Sequence, residues 1–514
     1  MKNSRRKQHE SKLDRRDLLK SAAVSGLAGS LAIGSGRPVA SAVKTGRNRI
    51  TAENSRTGTS DWQLTYVRPA GKSRRRSLLI EGYCSKTSVR AGDSIEFHIS
   101  TRPATSVTID IYRMGYYGGK GGRHITRVGP FDAVPQRDPE VGEHRLRECS
   151  WKSAARLAIP RDWLSGVYLG KLSCAAHRYQ SYVIFIVRDD RRADLLFQCS
   201  DTTWQAYNKW PDEYSLYDTD PPKQSLNGTT RVSFDRPYAK YPQVVDQPLS
   251  IGSGEFLCWE LPLAFWLEKH GYDVTYWSNI DTHTDPQGLK RAKMFLSVGH
   301  DEYWSLEMFD NVRHAVSQGL NVAFLSGNTS CFVAPLKPGR DGRPDRIFHR
   351  AGRYGGLSKG EEAWGPFDTE GPNENTLIGA RTVNPFNGSG DWQVTKADHW
   401  LFEGTGMKNG DRIPGLVGWE FHGDPADIPG LEVVAEGAAV NGGGRKAHWT
   451  ATVYPGPRGN WVFSASTIYW SMGLSRPPGF VAPFAHYGRP HGPDKRVQRI
   501  TANFLKQCGV LPAM

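Results

Sequence analysis

The chain has 514 residues, of which 38% are hydrophobic, and its 16 Trp, 20 Tyr and 20 Phe are ample for two folded domains. The formal net charge is +14, but residues 1–76 hold 18 Lys and Arg against 5 Asp and Glu, which leaves about +1 for the rest of the chain. A nearly neutral body does not attract a phosphate backbone strongly, so the composition argues against a nucleic-acid partner.

Residues 1–42 have the three parts of a twin-arginine export signal. Arg15 and Arg16 stand ahead of two leucines, a weakly apolar run rich in Gly and Ser follows, and an Ala-Ser-Ala cleavage sequence ends at Ala42. A basic disordered tail is the alternative, but the ordered succession favours export by the twin-arginine translocase to the periplasm or the exterior. The apolar run is too short to remain as a stable membrane span, and no later segment is long and apolar enough to form one.

Residues 43–76 are predicted to be a basic linker, and residues 77–190 a β-sandwich of immunoglobulin-like type. Apolar residues alternate with polar ones in several short segments, for example at Ile95, Phe97 and Ile99. Clusters of Gly and Pro separate these segments. This pattern is typical of short strands that each turn one face to a core.

The pattern changes over residues 191–514, which are predicted to form a doubly wound α/β domain of flavodoxin or glutamine-amidotransferase type with a β extension. Short continuous apolar runs alternate there with segments of helical period. The Gly-, Pro- and charge-rich residues 340–390 are predicted to be long loops, and antiparallel strands and a final helix should follow them. The predicted strands are 193–198, 273–277, 294–298 and 322–325, and the predicted helices are 255–270, 305–317 and 495–505.

The seven cysteines are scattered and contain no CxxC pair, which argues against a zinc-finger site. Cys331 follows a predicted strand but lacks the flanking glycines of a nucleophile elbow, so a buried structural thiol is favoured. A disulfide among Cys84, Cys149 and Cys174 remains open.

Polar residues follow three of the predicted parallel strands, where ligands bind in doubly wound sheets. Tyr207 and Tyr217 come after the first strand, His300 and Glu302 after the third, and Asn328 after the fourth. Alternate residues of a strand point the same way, so His300 and Glu302 can share a pocket if the strand continues that far. Tyrosine and carboxylate oxygens are hard ligands that suit Fe(III). Helix capping by Glu302 and ordinary packing of the tyrosines are the alternatives.

The order of several motifs resembles that of the large subunit of N,N-dimethylformamidase and its relatives. SDTTWQAYN, SLYD, VSFDRPY, VGHDEYWS, FLSGN, GWEF and STIYW occur in this order between Ala193 and Leu511, and the sandwich before them also looks like the domain that usually precedes it. The resemblance implies a metallo-amidohydrolase in which two tyrosines and one glutamate hold a mononuclear iron.

Transferred by motif, the resemblance makes Tyr207 and Tyr217 the tyrosine ligands of Fe(III) and Glu302 the carboxylate ligand. Tyr214 and Tyr238 are the alternatives for the second tyrosine, because the two tyrosine motifs lie closer together than the enzyme's spacing leads one to expect.

The resemblance also implies three catalytic pocket residues, His300, Asn328 and Glu420, acting on a small-molecule amide. Glu420 or His300 would move a proton to the leaving amine, and Asn328 would donate to the developing oxyanion.

The alternative function is a non-catalytic exported protein that binds a ligand such as a glycan. Aromatic side chains along the predicted rim could stack on a sugar, although core packing is the commoner role of tryptophan. The tryptophans concerned are Trp204, Trp210, Trp259, Trp304 and Trp419.

Changing Arg15 and Arg16 together to Lys should leave the precursor in the cytoplasm, because the translocase recognises the arginine pair and not simply positive charge. Cell fractionation and immunoblotting measure this. The same exchange at Arg5 and Arg6 is the matched control and should not impair export. Normal export of the Arg15/Arg16 variant would show that the predicted route is wrong.

Overall fold

The computed structural model of the protein describes residues 48–174, 176–219, 228–241, 248–357, 367–383, 387–480 and 492–513. The fold is mixed α/β and consists mostly of sheets with few helices. The predicted export signal, residues 1–42, lies outside the described residues. None of the helices in the described ranges has the length and apolar character needed to cross a bilayer.

The first eight strands form two sheets that share a core. The strands follow a short helix, α1, at Arg49–Asn54. They are β1 Ile80–Cys84, β2 Ser88–Arg90, β3 Ser94–Thr101, β4 Thr105–Met114, β5 Gly122–Ala133, β6 Ser153–Ala158, β7 Gly166–Cys174 and β8 Gln180–Arg188.

The smaller of these sheets has the order β1-β3-β6 and the larger the order β2-β8-β7-β4-β5. Ile95 and Phe97 of β3 are fully buried and share a core with Val107 of β4, so the alternation read from the sequence does place one face inside. The other face of the larger sheet, including Ile184 of β8, packs in a second core with Leu195. Because both of its faces are covered, β8 is buried along nearly its whole length.

Seventeen further strands and seven further helices follow in the described part of the chain. In chain order they are β9 Ala193–Cys199, α2 Asp201–Ala206, β10 Arg231–Ser233, α3 Phe256–Trp259, α4 Leu261–Lys269, β11 Val274–Ser278, α5 Asn279–Thr284, β12 Ala292–Gly299, β13 Tyr303–Trp304, α6 Leu306–Ser317, β14 Asn321–Ser326, β15 Phe332–Val333, β16 Ile347–His349, β17 Gly352–Tyr354, β18 Thr369–Gly371, α7 Asn375–Ile378, β19 Ala380–Thr382, β20 Gly388–Gln393, β21 Arg412–Trp419, β22 His422–Pro425, β23 Glu432–Asn441, β24 Lys446–Pro455, β25 Trp461–Ser464 and α8 Lys495–Gln507.

A nine-stranded sheet of order β11-β9-β12-β14-β25-β24-β23-β20-β21 organises this region. The pairs from β11 to β25 are parallel and those from β25 to β21 are antiparallel. The four parallel strands predicted from apolar runs are present within two residues of their predicted bounds, and the predicted antiparallel extension is confirmed. Their continuous burial agrees with the apolar runs, because helices or other sheets cover both faces.

Residues 340–390, predicted to be loops, contain several short strands in their described part. β17 and β18 belong to a four-stranded sheet of order β13-β15-β17-β18, which we call the small sheet. β16 pairs with β10, and β19 pairs with β22. Strands of three residues are too short to show an alternating pattern, so the prediction of loops was wrong here. The small sheet bears on the candidate site because β13 begins directly after Glu302, the predicted carboxylate ligand.

The helix predicted over residues 255–270 is broken at Glu260 into α3 and α4. Pro262 lies in the first turn of α4, where its missing N–H costs no hydrogen bond. The Glu260 carboxylate instead accepts from the backbone N–H of Ser200 at 2.8 Å and from Trp204 Nε1 at 3.0 Å. The periodic pattern predicted the helical segment correctly but not this break.

All seven cysteines are free thiols, so the structure has no disulfide among Cys84, Cys149 and Cys174. Cys331 is fully buried, as predicted for a structural thiol, and burial raises its pKa well above the usual range. A thiol in this state is a poor nucleophile.

A buried ion pair joins β4 to α4. Arg113 Nη2 donates to Glu268 Oε1 at 2.8 Å and Nη1 donates to Oε2 at 3.0 Å, with both side chains fully buried. Glu268 also accepts from the Tyr276 hydroxyl at 2.9 Å and from Asn54 Nδ2 at 2.8 Å, and Arg113 donates to the Ser165 carbonyl. Hydrogen bonds therefore compensate both buried charges.

Glu268→Gln should lower the free energy of unfolding by about 3–5 kcal/mol, because it leaves the buried Arg113 charge without its partner. Urea unfolding followed by fluorescence measures the change. Asp310→Asn is the matched control, since it breaks an exposed pair with Arg313 and should cost at most about 1 kcal/mol. Equal losses in the two variants would contradict the importance of the buried pair.

Candidate functional site

The carboxyl ends of β9, β12 and β14 meet at one edge of the nine-stranded sheet because these strands are parallel neighbours. The segments that follow them carry Tyr207, His300 with Glu302, and Asn328, as the sequence predicted. The strand conformation does not continue through His300 and Glu302, since β12 ends at Gly299 with a φ of +67°. The two side chains nevertheless reach the same pocket.

Glu420 reaches this edge from the end of β21, the last strand of the sheet. Its carbonyl accepts a hydrogen bond at 3.2 Å from the N–H of Ile468, which follows β25. A Cβ on Gly327 would lie 2.2 Å from the Glu420 carbonyl oxygen, so glycine is required for this close approach. The segment next to Asn328 therefore packs directly on the backbone of Glu420.

Three tyrosine hydroxyls and one carboxylate form a hydrogen-bonded chain. The Tyr303 hydroxyl donates to Tyr217 at 2.9 Å, Tyr217 donates to Tyr207 at 2.5 Å, and Tyr207 donates to Glu302 Oε2 at 2.6 Å. The Tyr207 and Tyr217 rings stack with their centroids 4.7 Å apart. The structure thus brings together the three predicted ligands and adds Tyr303, which the sequence reasoning missed.

The turn after α2 holds Tyr217 beside Tyr207. The backbone N–H of Leu216 donates to the Ala206 carbonyl at 2.9 Å, which ties the turn to the end of the helix. Asp218 accepts from the Ser215 backbone at 2.9 Å and from the Ser215 hydroxyl at 2.6 Å. These local contacts explain how tyrosines only ten positions apart present their hydroxyls to each other.

The two alternative tyrosines lie in other surroundings. The Tyr214 ring packs under the guanidinium groups of Arg145 and Arg147, at 4.5 and 4.7 Å from the ring centroid. The Tyr238 ring stands edge-on to Trp204 with a centroid separation of 6.3 Å. Neither hydroxyl is among the contacts of Glu302 in the described part of the chain.

His300 lies at the centre of three buried carboxylates. Its Nε2 is 2.8 Å from Glu420 Oε2 and 3.4 Å from Glu302 Oε2, and its Nδ1 is 3.3 Å from Glu255 Oε2. His300 Nε2 and both Glu420 oxygens lack a hydrogen-bond partner of good geometry among the described residues. Glu255 was missed because the periodic pattern placed it at the start of a helix.

The electrostatics of the pocket follow from burial and this crowding of carboxylates. Burial raises the pKa of Glu420 to about 7. His300 acts to lower this pKa, and the Glu302 carboxylate acts to raise it. Burial alone would lower the pKa of His300, but Glu420 and the other two carboxylates raise it well above its usual value. Burial and then Glu302 raise the pKa of Tyr207 and Tyr217 far above the usual range. Only a strong cation nearby would make these phenols ionise.

Asn328 is held in a left-handed turn, with a φ of +50°, and is fully buried. Neither atom of its side-chain amide has a hydrogen-bond partner among the described residues. The next N–H, of Thr329, donates to His422 Nε2 at 3.1 Å, and His422 Nδ1 lies 2.8 Å from the Ser464 hydroxyl. A residue such as Asn328, with left-handed backbone and a buried amide that has no partner among the described residues, is typical of a functional site.

A comparison with protein-family models places these observations in a family. The model described as N,N-dimethylformamidase beta subunit-like, C-terminal, matches residues 108–486, which is well over half of the chain and includes every site residue named above. The chain belongs to this family. The resemblance recognised from the motifs is therefore confirmed, and membership of the family suggests a hydrolase, more narrowly an amidohydrolase. No curated protein matches the chain.

The N,N-dimethylformamidase-like family also suggests a bound metal, and the donor atoms fit one. Tyr207, Tyr217 and Glu302 offer hard oxygens linked by hydroxyl protons that a cation can replace, and Glu302 Oε1 has no hydrogen-bond partner among the described residues. His300, Glu302 and Glu420 form a second set, with potential ligand atoms within 4.8 Å of one another. Glu302 belongs to both sets.

The buried His422 predicts a pH dependence of stability. Burial lowers its pKa from 6.5 to about 3. Between these values the unfolded chain binds a proton that the folded protein does not, so lower pH destabilises the fold, by up to about 1.4 kcal/mol per pH unit. Above pH 6.5 the residue is neutral in both states and contributes nothing.

His422→Gln keeps an acceptor for Thr329 but removes this titration, so its free energy of unfolding should fall less steeply than that of the natural protein from pH 7 to pH 5. Urea unfolding at several pH values measures the slope. His314→Gln, on the exposed side of α6, is the control. Equal slopes for His422→Gln and the natural chain would contradict the role of His422.

Proposed function

We propose that this member of the N,N-dimethylformamidase-like family is an exported metallo-hydrolase that cleaves the C–N bond of a small amide at a mononuclear Fe(III) site. The observation that carries the proposal is the buried chain from Tyr217 through Tyr207 to Glu302. Two phenolates and a carboxylate would balance the charge of Fe(III) with hard ligands. The hydrogen-bonded contacts between these three side chains support their assignment as ligands.

The proposal also covers architecture and location. We assign the sheets within residues 77–190 to the immunoglobulin-like class, and residues 191–514 to a doubly wound α/β domain with a β extension. The twin-arginine signal predicted in residues 1–42 would direct export to the periplasm or the exterior.

Fe(III) held by Tyr207, Tyr217 and Glu302 would polarise the amide carbonyl and make a water molecule at the site more acidic. His300 and Glu420, buried and 2.8 Å apart, are placed to hold a proton and pass it to the leaving amine. Contact with the partly unpaired Glu255 carboxylate orients the His300 ring from its other nitrogen.

Asn328 is placed to stabilise the charge that develops on the amide oxygen. Its side-chain amide is buried, unpaired among the described residues and fixed by the turn that His422 holds. A donor that is already oriented before the reaction costs no reorganisation when the charge appears.

The second candidate ligand set, His300, Glu302 and Glu420, makes a different prediction about the metal. Histidine and carboxylate ligands give no phenolate-to-iron charge-transfer absorption, whereas tyrosine ligands do. We prefer the tyrosine set because two phenolates and one carboxylate would balance the three charges of Fe(III), whereas Glu302 and Glu420 supply only two negative charges.

The alternative of a glycan-binding protein was suggested by exposed tryptophans along the predicted rim, and most of these side chains are buried. Trp204, Trp210, Trp259 and Trp304 are at most 4% exposed, so they pack in cores instead of forming a stacking surface. Only Trp419 of the predicted rim is partly exposed.

Protein purified and loaded with Fe(II), then oxidised, should be coloured and contain one iron per chain. Tyr207→Phe and Tyr217→Phe should each bleach or shift the visible band, because each removes a phenolate, and Glu302→Gln should lower the iron content. Visible absorption and metal analysis measure these effects, with circular dichroism to verify the fold. The loaded natural protein should also release amine from N,N-dimethylformamide or another small amide.

Tyr238→Phe is the matched control, since its hydroxyl lies apart from Glu302, and it should retain the colour. A colourless natural protein without iron would remove the proposed iron site. Bound metal without a charge-transfer band, lost in Glu420→Gln, would instead assign the ligands to His300, Glu302 and Glu420.

A further inference from the structure

The hydrogen-bonded tyrosine chain ends at Glu302 on one side and at Tyr303 on the other. Neither the motifs nor the family match gives a role to the Tyr303 end. There the Tyr303 hydroxyl oxygen accepts two hydrogen bonds from Arg350, one from Nη2 at 2.6 Å and one from Nε at 3.2 Å. Arg350 lies between β16 and β17 and is fully buried. Both residues belong to the small-sheet region, where β15 pairs with β13 on one side and with β17 on the other and so brings them together.

Arg350 fixes the direction of every hydrogen bond in the chain. A guanidinium group has only donors, and a phenol oxygen has two lone pairs, so the two bonds from Arg350 leave Tyr303 able only to donate. The atom within reach of its proton is the Tyr217 oxygen, at 2.9 Å. The chain therefore runs from a permanent cation, through three hydroxyls, to an anionic acceptor at Glu302.

The surroundings of Arg350 keep it in place. Its guanidinium carbon lies 4.5 Å from the centroid of the Tyr217 ring and 4.6 Å from that of Phe332. Aromatic faces attract a buried cation, and a planar guanidinium stacks on them as an ammonium does not. Arg350 thus places a buried positive charge against the phenols, in addition to any metal.

We propose that Tyr303, oriented by Arg350, is a positioning residue that donates a hydrogen bond to Tyr217 when Tyr217 is a phenolate ligand, and thereby keeps the iron strongly Lewis acidic. This role rests on the proposed iron site. When Tyr207 and Tyr217 give up their protons to bind a cation, the Tyr303 proton is the one hydroxyl proton of the chain that remains. Its hydrogen bond draws electron density from the Tyr217 oxygen, so this ligand donates less charge to the metal.

Tyr303→Phe removes this hydrogen bond and leaves the three ligands in place. The charge-transfer band should move to longer wavelength, because a phenolate without the bond holds its electrons less tightly. The stronger donor also favours Fe(III), so the Fe(III)-to-Fe(II) ratio at a fixed solution potential should rise about tenfold. Visible spectra and an anaerobic redox titration of the iron-loaded full-length protein measure the two effects.

Tyr354→Phe is the matched control. It also removes a buried tyrosine hydroxyl from the small sheet, but this hydroxyl donates to the backbone carbonyl of Ser305 at 2.7 Å and not to a phenol. We expect Tyr354→Phe to retain the natural band and redox ratio, even if it lowers stability. The comparison separates an effect on the ligand from a general loss of packing.

Arg350→Lys tests whether Arg350 acts through Tyr303. It keeps a positive charge but loses the two-pronged geometry, so the band should lie between those of the natural protein and Tyr303→Phe. Adding Arg350→Lys to Tyr303→Phe should shift the band by less than Arg350→Lys shifts it alone, because only the direct contact of residue 350 with the Tyr217 ring then remains.

The outcomes separate this inference from the proposed function. A coloured natural protein whose band and redox ratio are unchanged in Tyr303→Phe, or changed equally in Tyr354→Phe, would overturn the role of Tyr303 and leave the iron site standing. A shift caused by Arg350→Lys that is as large in the Tyr303→Phe background as in the natural protein would overturn the orienting role of Arg350. A colourless natural protein without iron would overturn both the iron site and this inference.

Discussion

Buried negative charge is the constraint on which the rest of the site depends. Glu255, Glu302 and Glu420 all lie within 3.4 Å of His300, and all four side chains are buried. A buried carboxylate without a partner costs several kcal/mol, so protons or cations must compensate this group. The histidine supplies one counter-charge, and the tyrosine chain directs hydroxyl protons to Glu302. The buried Arg350 directs that chain from its far end, and a metal cation would complete the balance.

The scaffold makes such a cluster possible by bringing together segments that are far apart in the chain. Neighbouring parallel strands deliver Tyr207, Glu302 and Asn328 to one edge, and the close approach at Gly327 adds Glu420 from the last strand of the sheet. The larger of the N-terminal sheets packs one of its faces in the same core as the nine-stranded sheet. A framework buried on both sides can hold strained turns and uncompensated polar atoms that a looser structure would relax.

Family membership and local chemistry answer different questions. The family match covers both the N-terminal sheets in part and the complete site, and it suggests hydrolysis of an amide. A fold supports many reactions, however, so the proposed chemistry depends on named groups: oxygen donors for a hard cation, a proton-sharing pair and an oriented amide. In the role proposed for them, Tyr303 and Arg350 would tune such a centre from beyond the expected ligands.

Sequence patterns by themselves determined the long elements and the strand ends that carry polar groups. Period-2 alternation predicted β3 and β4, continuous apolar runs predicted the parallel strands, and the cap residue Ser305 marked the start of α6. Such signals are local, because a side chain's burial in a regular element repeats with the period of that element. The tertiary structure decided what no local signal contains: the strands of three residues, the break at Glu260, and the contacts of Glu255 with His300 and of Arg350 with Tyr217. These contacts join residues many positions apart, and only the packing of complete sheets fixes which distant side chains share one pocket.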